Sequence, residues 1–408
     1  PRAVTLSATG CCSHFFLVHV LYWFFCNGGN MTTDIGTAIG DTIDAAAVER
    51  LLARARRDID DGLLPSAQLA LAINGEIVVE ETFGAATPES RYCVFSSTKP
   101  FIASCCWILI QEGKLDVTKR VVDYIPEFGT NGKEVVTVEQ VMLHQSGFPS
   151  APLGPPQWET KAGRLEAFGK WRLQWEPGTI SEYHPSSAHW VLAEIIERLS
   201  GEDFRDFLER RVTSPLGLPR VLGVTDDAPV MVPVPCGEPA TADELEAVLG
   251  IRELPATEVT TSAVAYLSRY EARAVGLPGG GGVMRARDLA LFYQALLHNS
   301  AGIWDPEVLS DGTGRVRSML PDAWTGVPAS RTLGLVTAGS DGLGSMRGFG
   351  KTTSARAFGH NGAFGQFSWA DPETGISFAY VTDGLDEHIL RQGRRGIALS
   401  SLANECAK

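Results

Sequence analysis

The sequence predicts an α+β fold in which both ends of the chain build one sheet and the middle supplies helices. Three observations predict it. A hairpin pattern stands near the start at 67–82, and a second strand pair stands near the end at 365–382. From about 113 to 297 only helix and loop patterns occur. With 408 residues, 44% hydrophobic and 20% charged, the chain can bury one large core or two modest ones.

Taken in order, Asp41-Thr-Ile-Asp-Ala-Ala-Ala-Val-Glu-Arg-Leu-Leu-Ala-Arg-Ala-Arg56 carries apolar residues at helical spacing behind an N-cap candidate. Ala67-Gln-Leu-Ala-Leu-Ala-Ile73 and Glu76-Ile-Val-Val-Glu-Glu-Thr82 flank Asn74-Gly75, the strongest short hairpin signal. Helical periodicity returns at 187–199 and 204–211, after a Pro- and Gly-rich loop at 150–156. The glycine run in Leu277-Pro-Gly-Gly-Gly-Gly-Val283 lacks a P-loop lysine and follows no strand pattern, so it reads as tight backbone packing rather than a phosphate cradle. Two strands at 365–371 and 376–382 and a helix from about 387 close the chain.

The chemistry starts at Cys93-Val-Phe-Ser-Ser-Thr-Lys-Pro-Phe-Ile102. Ser96 and Lys99, three residues apart, place an alcohol and an amine on one helix face within hydrogen-bonding reach. A serine hydroxyl is a poor nucleophile at neutral pH unless a neighbour takes its proton. A lysine can do so when burial or another cation keeps it neutral. The following run, Pro100 to Ile110, is apolar nearly all round, the pattern of a buried central helix. Pro100 falls early, where a missing N–H is tolerated. Alone the pair is a weak signal. A chain this long holds roughly one or two Ser-x-x-Lys matches by chance, and an N-cap serine (Ser96 or Ser97) with a surface lysine spells the same letters.

Two more stretches carry candidate groups. Trp175-Glu-Pro-Gly-Thr-Ile-Ser-Glu-Tyr-His-Pro-Ser186 presents Tyr183, which can act as a base or relay beside a Ser/Lys pair if its phenolate is stabilised. The neighbouring His184 and His189 have no third ligand and read as structural. Phe358-Gly-His-Asn-Gly-Ala-Phe-Gly365 precedes a strand. Its glycines let a substrate approach the sheet edge, a free N–H at Ala363 can face an oxyanion, and His360 stands beside it.

Composition narrows the partners. The net charge of −13 argues against nucleic-acid or anionic-membrane binding. Eight scattered cysteines form no disulfide framework or zinc pattern and fit a cytoplasmic protein, with a secreted or periplasmic one as the second reading. Neither metal nor organic cofactor is implied. Phe15-Phe-Leu-Val-His-Val-Leu-Tyr-Trp-Phe-Phe-Cys26 is too short to span a bilayer, so no stable membrane insertion is expected. It lies in a segment, 1–30, that reads as a non-native extension, with the native start at Met31 and a signal peptide or interfacial anchor as the alternative. The remainder, 31–408, reads as one domain: an α/β part at about 43–115 and 277–405, and a helical part at about 116–276. Oligomeric state is not encoded legibly.

These three motifs, in this order, resemble the serine β-lactamase and penicillin-binding superfamily, closest to its class C branch and the family VIII carboxylesterases. The resemblance runs from about 43 to 399 and includes Leu143-His-Gln-Ser-Gly-Phe-Pro149, Trp175-Glu-Pro-Gly-Thr179, Ser214-Pro-Leu-Gly-Leu-Pro219 and Gly276-Leu-Pro-Gly-Gly-Gly-Gly-Val283. It implies a β-lactamase-like fold, an antiparallel sheet flanked by helices, with Ser96 as acylated nucleophile and Lys99 and Tyr183 as its proton relay. It further implies an oxyanion hole from the N–H groups of Ser96 and Ala363, and substrate binding by His360, Asn361 and Gly362. The chain departs from a β-lactamase at two places: Pro185 stands where an asparagine is expected, and His360-Asn361-Gly362 replaces Lys-Thr-Gly. The missing amide and lysine would hold a β-lactam's amide and carboxylate. The expectation is therefore a carboxylesterase for small esters. A β-lactamase, D-aminopeptidase, DD-peptidase or acyltransferase is the alternative, and a non-catalytic scaffold is the reading from another class. The segment at about 224–275 is expected to form a lid or pocket wall.

Overall fold

In the computed structural model, which describes residues 42–227 and 229–408, the chain divides into Asp44–Ala407 and a unit of Pro1–Ile43 with Lys408. The expectations about 1–30 lie outside the described residues, and the account below concerns Asp44–Ala407.

The first helix, α1 (Ala45–Asp60), starts where the Asp44 carboxylate accepts hydrogen bonds from the Ala46 and Ala47 N–H groups. It runs four residues further than the periodicity predicted, to the turn at Asp61. The hairpin follows as expected: β1 (Ser66–Ile73) and β2 (Glu76–Gly84) pair antiparallel across Asn74 and Gly75, whose φ values of 52° and 85° suit a tight hairpin turn. β1 is buried along its whole length because β9 covers its other edge and helices cover its faces. A short strand, β3 (Tyr92–Phe95), leads to α2 (Lys99–Gln111), buried from Lys99 to Leu109.

After α2 the chain builds short helical turns and loops, then α3 (Ser187–Ser200), which packs on α2. Between 113 and 297 the sequence hid two three-residue strands, β4 (Val234–Cys236) and β5 (Gly282–Met284). Three residues are too few for an alternating pattern to register. β5 pairs with β3, and α4 (Ala286–His298) then lies across β1, β8 and β9. The chain returns to the sheet with β6 (Val336–Thr337), β7 (Phe358–Gly359), β8 (Phe367–Ala370) and β9 (Ile376–Thr382). The result is an antiparallel sheet in the order β2-β1-β9-β8-β7-β6. β10 (Gly384–Asp386) pairs parallel with β4, and α5 (Ile389–Asn404) packs against α1. The α+β class and the sheet built from both chain ends are therefore as expected. Among the described residues no helix is long and apolar enough to cross a membrane.

One ion cluster ties the ends together. The fully buried Arg395 of α5 donates to Asp58 Oδ2 of α1 at 2.5 Å and to Asp386 Oδ2 of β10 at 2.7 Å. Burial opposes ionisation of Asp58 and Asp386, yet the guanidiniums of Arg395, Arg54 and Arg391 hold both carboxyls below their ordinary range. Removing one partner of such a buried group leaves uncompensated charge. Arg395→Ala is expected to destabilise the protein by about 3–5 kcal/mol in urea unfolding. Because the carboxyl pKa values are depressed, this contribution is full above about pH 4 and is lost as pH falls through the folded values. The gap between wild type and variant should therefore close toward pH 2.

Candidate active site

The site begins with a strained residue. Phe95, last in β3, has φ 46° and ψ −127°, a conformation that costs a bulky residue energy and survives only when its surroundings enforce it. The enforcement is visible. Thr98 Oγ1 donates to the Phe95 carbonyl at 2.5 Å and accepts the Gly282 N–H at 2.9 Å. A Cβ on Gly282 would lie 2.6 Å from Thr98 Oγ1, so the glycine run is the packing surface of this turn. The bend delivers Ser96 into one 3₁₀ turn, Ser96–Thr98, which leads directly into α2.

Lys99 is fully buried, whereas Ser96 and Tyr183 are partly exposed. Lys99 Nζ lies 3.2 Å from Ser96 Oγ, and donates to the carbonyls of Pro185 at 2.7 Å and Gly279 at 2.6 Å. Carbonyls only accept, so those two bonds use two N–H groups. A neutral amine then has its lone pair left for the Ser96 hydroxyl proton. Burial, and next the charge of Arg331, hold the Lys99 pKa well below its ordinary value. Tyr183 Oη donates to Ser96 Oγ at 2.7 Å, and its ring lies 4.9 Å from Lys99 Nζ. Burial pushes the Tyr183 phenol up to about 12, against the pull of the Ser96 hydrogen bond and Arg331. The arrangement can take a proton from Ser96 and return it to a leaving group.

Histidines back the tyrosine. The His144 ring lies 4.8 Å from the Tyr183 ring, and His144 Nδ1 accepts the His184 N–H at 3.0 Å. His184 donates through Nδ1 to the Glu182 carbonyl at 2.7 Å, so its Nε2 accepts from Ser146 Oγ at 2.9 Å. Burial holds His184 at about 3 and His144 and His189 well below their ordinary values, so all three are neutral. Backbone bonds from Gln174 to Gly147, Gly178 to Gln145 and Glu182 to His144 pin the tyrosine loop to 144–147.

The third motif meets the first through Ser97, whose hydroxyl donates to the His360 carbonyl at 3.1 Å. His360 donates through Nδ1 to the Asn361 carbonyl at 2.9 Å, leaving Nε2 buried without a partner, 5.9 Å between its ring and that of Tyr183. Burial, Lys99 and Arg331 keep it neutral. The Asn361 amide is already engaged, donating to the Gly348 carbonyl at 3.0 Å and accepting the Ser368 N–H at 3.2 Å, so it shapes the loop. Gly362 lies against the first motif: a Cβ there would sit 2.2 Å from the Val94 carbonyl. Ala363 and Ser96 line one cavity, of ≈ 390 Å³. Its walls are mainly apolar, with Leu153, Trp158, Val264, Tyr266 and Leu267 among them, and Glu258 lines it too. The stretch 258–267 therefore forms pocket wall. A second cavity of ≈ 230 Å³ adjoins His360, Asn361 and Arg331.

Sequence reasoning thus located Ser96, Lys99, Tyr183, His360 and Ala363, which the fold brings together. It missed the carbonyls of Pro185 and Gly279, the ring of His144 and the charge of Arg331. The motif stretches containing Pro185, Gly279 and His144 were themselves visible; Arg331 had no signal.

The β-lactamase family model matches residues 47–401. The chain belongs to the β-lactamase family. The Esterase/beta-lactamase LipL of Mycobacterium tuberculosis is 28% identical over 349 residues, covering 78% of this chain and 76% of that protein. A penicillin-binding protein homologue from Caulobacter crescentus superposes with a TM-score of 0.69 at 26% identity, covering 88% of this chain and 96% of the other. A family VIII carboxylesterase does so with a TM-score of 0.68 at 25% identity, over 88% and 98%. This β-lactamase-family protein is a hydrolase of the serine type.

Gly362→Ala tests whether the Ala363 amide contributes. The added Cβ must displace the backbone from the Val94 carbonyl. Ester turnover is expected to fall about 10²–10³-fold in kcat with the far-UV spectrum unchanged.

Proposed function

We propose that this chain is a carboxylesterase that hydrolyses small carboxylic esters through an acyl-Ser96 intermediate. The observation that carries this reading is the double approach to Ser96 Oγ, by Tyr183 Oη at 2.7 Å and Lys99 Nζ at 3.2 Å, beside an apolar cavity. Ser96 Oγ attacks the ester carbonyl as its proton passes to the Lys99–Tyr183 pair. The N–H groups of Ser96 and Ala363 hold the oxyanion. Collapse returns the proton to the departing alcohol through Tyr183, and the acyl group stays on Ser96 with its chain in the apolar cavity. A water then attacks the acyl carbon, giving its proton to the same pair, and the carboxylic acid leaves as Ser96 recovers its proton.

The departures at Pro185 and His360 favour esters over β-lactams. At the first position a backbone carbonyl serves Lys99 and no side-chain amide is present. At the second, a neutral imidazole stands in place of an ammonium. The family VIII carboxylesterase similarity points the same way. β-Lactam hydrolysis remains the second reading because the relative LipL is described as both esterase and β-lactamase.

The test is turnover of p-nitrophenyl acetate, p-nitrophenyl octanoate and nitrocefin by wild type, Ser96→Ala and Tyr183→Phe. Ester turnover is expected in the wild type with nitrocefin slow or inert. Ser96→Ala should lose ester turnover, and Tyr183→Phe should lose at least about 10²-fold. Nitrocefin turnover rivalling that of the esters would favour the second reading, and activity surviving in Ser96→Ala would overturn both.

A further inference from the structure

Arg331 lies outside every motif, on the loop between residue 314 and β6, yet its Cζ lies 5.6 Å from the centre of the Tyr183 ring. The loop is fastened to the tyrosine segment: Ser181 bridges Asp322, and the Ala323 N–H donates to the Ser181 carbonyl at 2.8 Å. The backbone of Arg331 pairs with Ser318 on one side and Val336 on the other. Ser330, just before it, holds φ 48°, a strained turn. The loop is therefore held by its backbone, without help from the arginine side chain.

The Nε of that side chain is buried and unpartnered, and Asp322 is the carboxylate whose charge acts on it. Arg347, on the same cavity, is by contrast closed by Asp341 and the carbonyls of Pro328 and Ala338. A guanidinium keeps its charge where a lysine or histidine would not. The other groups around Tyr183 supply no fixed positive charge. His144 and His360 are neutral, Lys99 is held toward its neutral form, and Glu258 contributes a negative field.

We propose that Arg331 is a positioning residue whose charge sets the proton balance of the Lys99–Tyr183 pair, so that a base faces Ser96 at neutral pH. The inference rests on the Ser96–Lys99–Tyr183 reading above. A cation over the ring stabilises phenolate and disfavours a second cation at Lys99. Both effects act in one direction: whichever member of the pair takes the serine proton, the charge lowers the pH at which it becomes available. His360, held neutral, supplies no charge beside Tyr183, and Arg331 provides one from a different loop.

The experiment is the pH profile of kcat/KM, which reports ionisations of the free enzyme, from pH 5 to 10 with p-nitrophenyl butyrate, an uncharged ester that has nothing to gain from anion recognition. Wild type, Arg331→Met, Arg331→Lys and Tyr183→Phe are compared, with the rate of Ser96 labelling by a fluorophosphonate as a second readout. In Arg331→Met the acidic limb is expected to move up by about one pH unit, with about a tenfold loss at pH 6 and full recovery at high pH. Arg331→Lys should restore the limb only in part, because a lysine at this position gives up its charge more readily than a guanidinium. An unmoved limb in Arg331→Met overturns the proposal, whether activity is kept, lost equally at every pH, or lost only through KM. Should Arg331→Met fail to fold, an unmoved limb in Arg331→Gln decides the matter in the same way. Tyr183→Phe separates the two failures: if it keeps wild-type activity the underlying mechanism falls, and if it is inactive while the limb stays fixed only the role of Arg331 falls.

Discussion

Most of this site depends on the burial of one amine. Lys99 opens a helix that is apolar on all sides, so its nitrogen cannot reach water. A buried ammonium without partners is prohibitively costly. The fold meets that constraint with two backbone carbonyls, from Pro185 and Gly279, each on a segment that also shapes the cleft. One follows Tyr183 by two residues, and the other lies in the glycine run that packs on the nucleophile turn. Two segments remote in sequence are thereby held at fixed distance from Ser96 Oγ. The same burial that threatens stability lowers the affinity of the amine for a proton.

The strain at Phe95 belongs to the same design. A residue at φ 46° between a strand and a helix turns the chain sharply, exposing Ser96 while Ser97 and Thr98 stay buried. Ser97 binds the His360 carbonyl and Thr98 the Phe95 carbonyl and Gly282 N–H. Neither hydroxyl touches a reacting atom in the mechanism proposed. They fix the turn against β5 and β7, and so fix the relation of the Ser96 and Ala363 amides on which any oxyanion hole depends.

Much of this was legible from residues alone, for reasons that differ by element. The hairpin at Asn74-Gly75 and the strands at the C-terminal end announced themselves because turn chemistry and side-chain alternation are local. The central helix was legible because Pro100 to Ile110 is apolar all round. β4 was not, since three residues carry no period. In the site, Ser96, Lys99 and Tyr183 were singled out by three motifs standing in the order of a known superfamily, since Ser-x-x-Lys alone is a weak signal. The partners of Lys99 were hidden because a carbonyl is present at every residue, and only the fold says which two point inward. Arg331 was hidden for a related reason. Nothing in its neighbours differs from a surface loop, and the loop becomes part of the site only when Ser181 pairs with Asp322.

The departures at Pro185 and His360 then read as one change rather than two. With proline at 185, no side-chain amide is available there, and the backbone carbonyl is turned to the amine. With histidine at 360, burial beside Lys99 and Arg331 forbids a charge, and the ring's Nδ1 is turned to its own loop. Each replacement removes a group able to grip an amide or a carboxylate and leaves a group that serves the protein's own scaffold. A site altered this way keeps its means of activating Ser96 and gives up much of its means of holding a polar acyl group. The cavity proposed to take the acyl group is correspondingly lined by Leu153, Trp158, Val264, Tyr266 and Leu267. On the esterase reading proposed above, recognition there would be by apolar contact, which grades acyl groups by size and shape and discriminates weakly between neighbours in a series.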